Sequence, residues 1–290
     1  MKTTNILQPG HHMVDVAGLA QSCHVAGSGP VCVVHPGGPG IDWAYLRMPR
    51  LEAFMTMVYL EPIGTGLSGR LGTHPQGYTV ERYSAQLDGF LKALDLRDVF
   101  LLGHSHGGFV AQHHALAHPE RLRGLILYDS AAVTGPAFMQ AADAAVRQAA
   151  ATYEDRDLAA EVLAAWASIP SIRDDASYTA AMRGLLPAYF ADPLSPAIAT
   201  LRDGLTASFV VGDNTPFDVR ETLRDQHLPT LAIVGAQDFI CGKACGDVLQ
   251  QTIVGLERVD IAHAGHFAHI EQADDFAASI RAFVLKHRPG

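Results

Sequence analysis

Apolar residues fall along this chain in short runs separated by amphipathic stretches. Met13 to Val16 and Leu19 to Val25 flank Ala17-Gly18 and predict an opening hairpin. Val31–Val34, Met55–Leu60, Val99–Leu102, Leu125–Tyr128 and Pro229–Gly235 are runs of the kind buried strands show, and Leu256–Ile261 predicts the last strand. Between them the spacing changes to three and four. Tyr83, Leu87, Phe90, Leu91 and Leu94 share one face of a helix predicted over Thr79–Leu94. Phe276, Ile280, Phe283 and Val284 do the same for Gln272–Lys286. Gly108–His118 predicts a helix that stops at Pro119, and Lys243–Gln251 predicts another. Strand alternating with helix predicts an α/β fold with a mostly parallel central sheet and helices on both faces.

At Thr134 the pattern changes. Residues 135–226 show no clear buried strand and are dense in alanine, the strongest helix former. Leu158, Val162, Leu163 and Trp166 continue a helical pattern to Pro170, and Met182, Leu185 and Leu186 give another that stops at Pro187. The stretch is too long for a plain loop. It is expected to be a helical cap inserted into a core made of residues 1–134 and 227–290.

Composition narrows the class of partner. With 290 residues, 48% of them hydrophobic, the chain can bury a large core. A net charge of -9 argues against a nucleic-acid partner. No 18-residue apolar run predicts a membrane span. Met1 to Asp15 does not read as a secretory leader, so a cytoplasmic location is expected. Cys23, Cys32, Cys241 and Cys245 are then expected to be free thiols. His114 and His118 have H-x-x-x-H spacing but no H-E-x-x-H motif or C-x-x-C pair. They are read as surface positions, and no metal is expected.

The chemistry gathers at strand ends. Gly103-His104-Ser105-His106-Gly107 reads as a G-x-S-x-G nucleophile elbow, a sharp turn from strand into helix that lifts a serine hydroxyl above the sheet edge. Asp238 and His266 also follow predicted strands, and a parallel sheet brings such ends to one edge. A serine hydroxyl needs a base during attack. Imidazole titrates near neutral pH and can take the proton and return it. A carboxylate orients the ring and stabilises its charged form. Ser105, Asp238 and His266 are therefore the expected catalytic set. His263 and His269 compete with His266 as the base, and Asp129 competes with Asp238 as the acid. His104 and His106 flank the nucleophile and are expected to pack or to shape the pocket.

Acyl transfer also needs N–H donors aimed at the developing oxyanion, each worth about 3–4 kcal/mol. The residue after the nucleophile, His106, is one expected donor. The turn His35-Pro36-Gly37-Gly38-Pro39-Gly40 supplies the other, from Gly38 in preference to Gly37. No cofactor is implied by such a site.

The Gly37-Gly38-Pro39-Gly40 turn, the Gly103–Gly108 elbow, Asp238 and Gly265-His266 together resemble the α/β-hydrolase fold superfamily, and within it the chain is similar to the proline iminopeptidase group. That resemblance implies the α/β-hydrolase fold over nearly the whole chain. It also implies cleavage of an N-terminal residue, often proline, with cap glutamates holding the free amine. The cap acids here are Glu154, Glu161 and Glu221, and their spacing marks no amine site. His104, Trp166, Tyr189 and Phe190, with Phe138, are the expected pocket residues. Three readings stand: a serine hydrolase of a small ester, lactone or amide; an iminopeptidase-type aminopeptidase; and a non-hydrolytic, cofactor-free enzyme or binding protein on the same fold. The partner is a small molecule or a short peptide.

Overall fold

The computed structural model describes residues 6–213 and 215–288. The reading of the N-terminal segment falls partly on residues 1–5, which lie outside the described residues. Strand β1 (Gly10–Val16) pairs antiparallel with β2 (Leu19–Gly27). Ala17 and Gly18 between them both have positive φ, 53° and 84°, as a two-residue hairpin turn requires. Next come β3 (Val31–His35), the short α1 (Pro49–Glu52), β4 (Thr56–Glu61), α2 (Val80–Ala93), β5 (Val99–His104), α3 (His106–Ala117) and β6 (Leu122–Tyr128). Helices α4 (Pro136–Thr152), α5 (Arg156–Ser168), α6 (Asp175–Leu185) and α7 (Ala197–Gly204) follow, then the single turn α8 (Arg220–Leu223). The chain closes with β7 (Thr230–Gly235), α9 (Lys243–Thr252), β8 (Glu257–Ile261), the short α10 (Ala268–Glu271) and α11 (Ala273–Lys286).

The sheet is 8-stranded, in the order β1-β2-β4-β3-β5-β6-β7-β8. Only the pairings of β2 with β1 and β4 are antiparallel; from β4 to β8 every neighbour is parallel. Side chains alternate between the two faces, so each strand feeds two cores. Cys32, Val34, Phe100, Leu102, Ile126 and Ile233 pack on one face with Phe276, Ile280 and Phe283 of α11. Val33, Leu101, Leu125, Leu127 and Ala232 pack on the other with α2 and α3. The first core continues into the inserted helices through Val146, Val162, Trp166 and Leu185.

Two local findings differ from the sequence pattern. His114 is fully buried rather than at the surface, because α3 is held between the sheet and α2, and burial pushes its pKa down to about 4. The inserted helices end at Gly204. The chain beyond them runs back along the core through single bridges, Ala207 to Ile41, Val211 to Gln76 and Asp218 to Val133.

Candidate active site

Ser105 sits between β5 and α3 with φ 53° and ψ −122°, backbone that a side chain adopts only under strain. Its surroundings hold it there. Its N–H donates to the Tyr128 carbonyl at 2.9 Å, and Ser130 Oγ donates to its carbonyl at 2.9 Å. A Cβ at Gly103 would strike the backbone of Gly107, and one at Gly107 would strike the carbonyl of His35. Strand and helix can therefore approach closely enough to make the turn only with glycine at both positions.

Asp238 and His266 meet. His266 Nδ1 lies 2.8 Å from Asp238 Oδ2, and both side chains are buried. Asp238 also accepts the N–H groups of Ile240 at 3.0 Å and Cys241 at 3.2 Å, so the turn after β7 fixes the carboxylate before it meets the ring. With the proton on Nδ1 facing a carboxylate, Nε2 keeps its lone pair for a serine hydroxyl. The His266 ring stacks on Tyr189, centroids 5.1 Å apart, and the main-chain N–H of His266 donates to the Tyr189 carbonyl at 2.7 Å. Asp129 does not take this place: its Oδ1 accepts the Gly235 N–H at 2.7 Å. Its Oδ2 is buried without a partner, and burial, with the nearby Asp238 charge, pushes its pKa well above the usual carboxylate range. His263 is exposed. His269 is buried and tied to Tyr128 and Tyr45.

The glycine turn packs on the elbow: a Cβ at Gly37 would lie 3.0 Å from Ser105 Cβ. Gly37 is corrected as an oxyanion donor, because its N–H is committed to Tyr45 Oη at 2.7 Å. Gly38 has φ +119°, and a Cβ there would sit 2.8 Å from Gly40 N and 2.9 Å from Ile41 N, so only glycine fits. His106 opens α3, where an N–H has no intrahelical acceptor and the helix dipole favours negative charge.

Ser105, His266, Gly37 and Gly38 open onto a cavity of about 210 Å³. Its walls come from the core and from α4, α5 and α6: Met139, Trp166, Ile172, Tyr178, Met182, Leu186, Tyr189, Ile240 and Phe267 among them. Among the described residues, no Asp, Glu, Lys or Arg lines it. A larger groove of about 1130 Å³ lies near the N-terminal ends of β5, β6 and β7, away from these groups.

Residues 30–273 match the family model for the alpha/beta hydrolase fold. The chain belongs to the alpha/beta hydrolase fold family. It is a hydrolase. Over 97% of this chain and 98% of the relative, it is 27% identical to 2-hydroxy-6-oxo-2,4-heptadienoate hydrolase of Pseudomonas putida strain F1. It also resembles the solved structure of VinJ, with TM-score 0.75 and 21% identity over 96% of this chain and 99% of that one. Proline iminopeptidase of Mycobacterium smegmatis superposes with TM-score 0.70 and 19% identity over 96% of this chain and 98% of that one. At these identities the structural likenesses concern the fold alone.

In this alpha/beta hydrolase, Trp166, Tyr189 and His104 line the cavity. Phe190 does not: it turns away and packs edge-on against Phe267, centroids 5.4 Å apart. Phe138 is likewise absent from the wall, where its neighbour Met139 stands instead. His106 lies outside the cavity and packs edge-on against Tyr83 and Phe109. Tyr45, Tyr178 and Ile240 went unnoticed in the sequence. Nothing local marks them, since each reaches the cavity from an element placed by long-range packing. The acids of the inserted segment stay outside it: Glu161 pairs with Arg202 at 3.4 Å, Glu154 lines a separate surface groove, and Glu221 is exposed.

No helix among the described residues is long and apolar enough to cross a membrane.

Proposed function

We propose that this protein hydrolyses a small, uncharged ester, lactone or amide through an acyl-enzyme on Ser105. Residues 135–226 would act as the cap that closes the site, since Trp166, Tyr178, Met182 and Tyr189 come from that segment. Ser105 Oγ attacks the carbonyl carbon while His266 Nε2 takes its proton, and Asp238 stabilises the imidazolium that forms. The N–H groups of Gly38 and His106 receive the oxyanion. Collapse of the tetrahedral intermediate breaks the bond to the leaving oxygen or nitrogen, and His266 returns its proton to that atom. Water, deprotonated by His266, then releases the acid and restores Ser105.

The observation that carries the substrate class is the uncharged cavity wall. Burying a carboxylate or ammonium without a partner costs several kcal/mol. The Pseudomonas putida relative is named for a dienoate, a carboxylate substrate. Among the described residues, no Lys or Arg stands in this cavity to meet such a group, and no acid stands there to meet a peptide amine. A cavity of about 150 Å³ holds a benzene ring, so 210 Å³ suits an acyl group of one ring or a short chain. Tyr178 spends its hydroxyl proton on the Pro39 carbonyl at 2.7 Å and so offers a substrate no free proton.

The test is kcat/KM for a short aryl ester, the same ester carrying a terminal carboxylate, and a prolyl amide, with Ser105→Ala as control. Serine-dependent turnover of the neutral ester, preferred by about 100-fold or more over its charged partner, is the expected result; that ratio corresponds to about 2.7 kcal/mol. Preference for the prolyl amide would return the aminopeptidase reading. Turnover that survives Ser105→Ala would place the chemistry on a serine-independent base.

A further inference from the structure

A set of hydrogen bonds joins the three loops of the candidate site behind its reacting atoms. Gly37 N–H donates to Tyr45 Oη at 2.7 Å. Tyr45 Oη lies 2.8 Å from His104 Nδ1, and His104 Nε2 lies 3.0 Å from the His266 carbonyl oxygen. A second arm starts at the other end of Tyr45: its carbonyl meets His269 Nε2 at 2.8 Å, and His269 Nδ1 meets Tyr128 Oη at 2.9 Å. Tyr128 Oη stands 3.2 Å from the same His266 carbonyl. All four side chains are buried.

The proton positions follow from which groups can only accept. A carbonyl has no proton, so His104 and His269 both carry theirs on Nε2. Each Nδ1 is then an acceptor, and each tyrosine hydroxyl must donate to it. Tyr45 Oη is left with a lone pair for Gly37 N–H. Tyr128 has one hydroxyl proton for two acceptors, and the shorter contact, to His269, takes it. Burial keeps both histidines neutral, pushing His104 well below its usual value and His269 down to about 4. The circuit therefore has one complete arrangement of protons.

Its ends fall next to the chemistry. Gly37 adjoins Gly38, the remaining oxyanion donor of the turn. His104 adjoins Ser105. His266 is the base, and the circuit grips its main chain while Asp238 grips its ring. We infer that Tyr45 and His104 are positioning residues that hold the oxyanion turn, the nucleophile and the base loop in register through the Gly37–Tyr45–His104–His266 chain of hydrogen bonds. This rests on the reading of Ser105 as nucleophile and Gly38 as oxyanion donor.

The experiment compares Tyr45→Phe, His104→Gln and their double variant with the wild type and with Tyr59→Phe. Tyr59 is a matched control away from the site: it too is buried, accepts a backbone N–H (Met48, 2.9 Å) and donates its own proton, to Glu52 at 3.1 Å. Three quantities are read per folded molecule: the kcat and the KM of the neutral aryl ester, and the inhibition constant of a trifluoromethyl ketone, which forms an oxyanion on a serine. A misplacement of about 1 Å costs on the order of 100-fold in rate. Tyr45→Phe is expected to lower kcat by roughly 10- to 100-fold and to weaken the ketone similarly, with KM within about twofold. Tyr59→Phe is expected to change neither. His104→Gln keeps an N–H for the His266 carbonyl and should lose less than Tyr45→Phe; the double variant should be no worse than Tyr45→Phe, because one chain is broken twice. Wild-type kcat and ketone affinity in soluble Tyr45→Phe would overturn the inference, as would equal losses in Tyr59→Phe. If Tyr45→Phe does not fold, unchanged values in His104→Gln overturn it. A wild type that turns the ester over without binding the ketone or reacting with a fluorophosphonate defeats the Ser105 reading, and this inference with it, a result separable from the others.

Discussion

A carboxyl oxygen of Asp129 lies within 4.8 Å of a ring nitrogen of His266, yet His266 bonds to Asp238, at 2.8 Å. The two acids follow neighbouring strands, β6 and β7, and reach the same edge of the sheet. They are held differently. Asp238 accepts two backbone N–H groups besides the ring, so both of its oxygens have partners. Asp129 accepts one N–H and has its second oxygen buried without a partner, which favours the neutral form.

Replacing each acid by its amide separates the two roles. Asp238→Asn should lower kcat by roughly 10³- to 10⁴-fold, since the amide offers the ring the wrong partner and tautomer. Asp129→Asn keeps an oxygen for the Gly235 N–H and should leave kcat within about tenfold, a hydrogen bond's net worth being about 1 kcal/mol. A larger loss in Asp129→Asn than in Asp238→Asn would reverse the assignment. Steady-state rates on the neutral ester decide it.

The same acid gives a pH signature in stability. Its native pKa lies above the unfolded value near 3.8, so above that pH the native state holds a proton that the unfolded state has released. Stability contributed at low pH is then lost as pH rises from about 4 toward the raised native pKa, by up to about 1.4 kcal/mol per unit. Asp129→Asn removes this slope. Denaturant melts of both proteins should show the variant gaining on the wild type from pH 5 to pH 8; parallel curves would refute it.

The strained elbow predicts an exchange of activity for stability. Ser105 at φ 53° and ψ −122° occupies backbone that glycine adopts freely. Such strain costs about 1–3 kcal/mol. Ser105→Gly and Ser105→Ala should both abolish ester turnover, and Ser105→Gly should melt a few degrees above Ser105→Ala, at about 2–4 °C per kcal/mol for a chain of this size. Calorimetry reads the difference, and equal melting points would count against strain at this turn.

Gly38 tests the oxyanion turn directly. A Cβ there would press on the backbone nitrogens of Gly40 and Ile41. Gly38→Ala should therefore move the donor and cost roughly 10²- to 10³-fold in kcat. Retained kcat would exclude Gly38 as a donor.

The uncharged wall can be altered at its mouth. Met139 lines the cavity and is 45% exposed, so a longer side chain there finds room. Met139→Arg should raise kcat/KM for the carboxylate-bearing ester by roughly two- to fivefold, the worth of a half-exposed ion pair, and leave the neutral ester nearly unchanged. No gain on the charged ester would mean that its carboxylate binds elsewhere.

The alternating and continuous apolar runs made the α/β fold legible, because strand and helix periods act over a few residues and do not depend on distant partners. The hairpin at Ala17-Gly18 is local in the same sense: its positive φ values answer a demand of the backbone at its own position. The choice between Gly37 and Gly38 was not local. It turned on Tyr45, whose hydroxyl takes one N–H only because His104 holds the ring from across the site. The choice between Asp129 and Asp238 depended on the turn that aims each carboxylate, and the burial of His114 on α2 lying over α3. The cavity depended most on the tertiary fold. Phe190 and Tyr189 are neighbours in sequence, yet one packs into the core and the other stacks on His266, because the inserted helices fix which side chain faces the sheet edge.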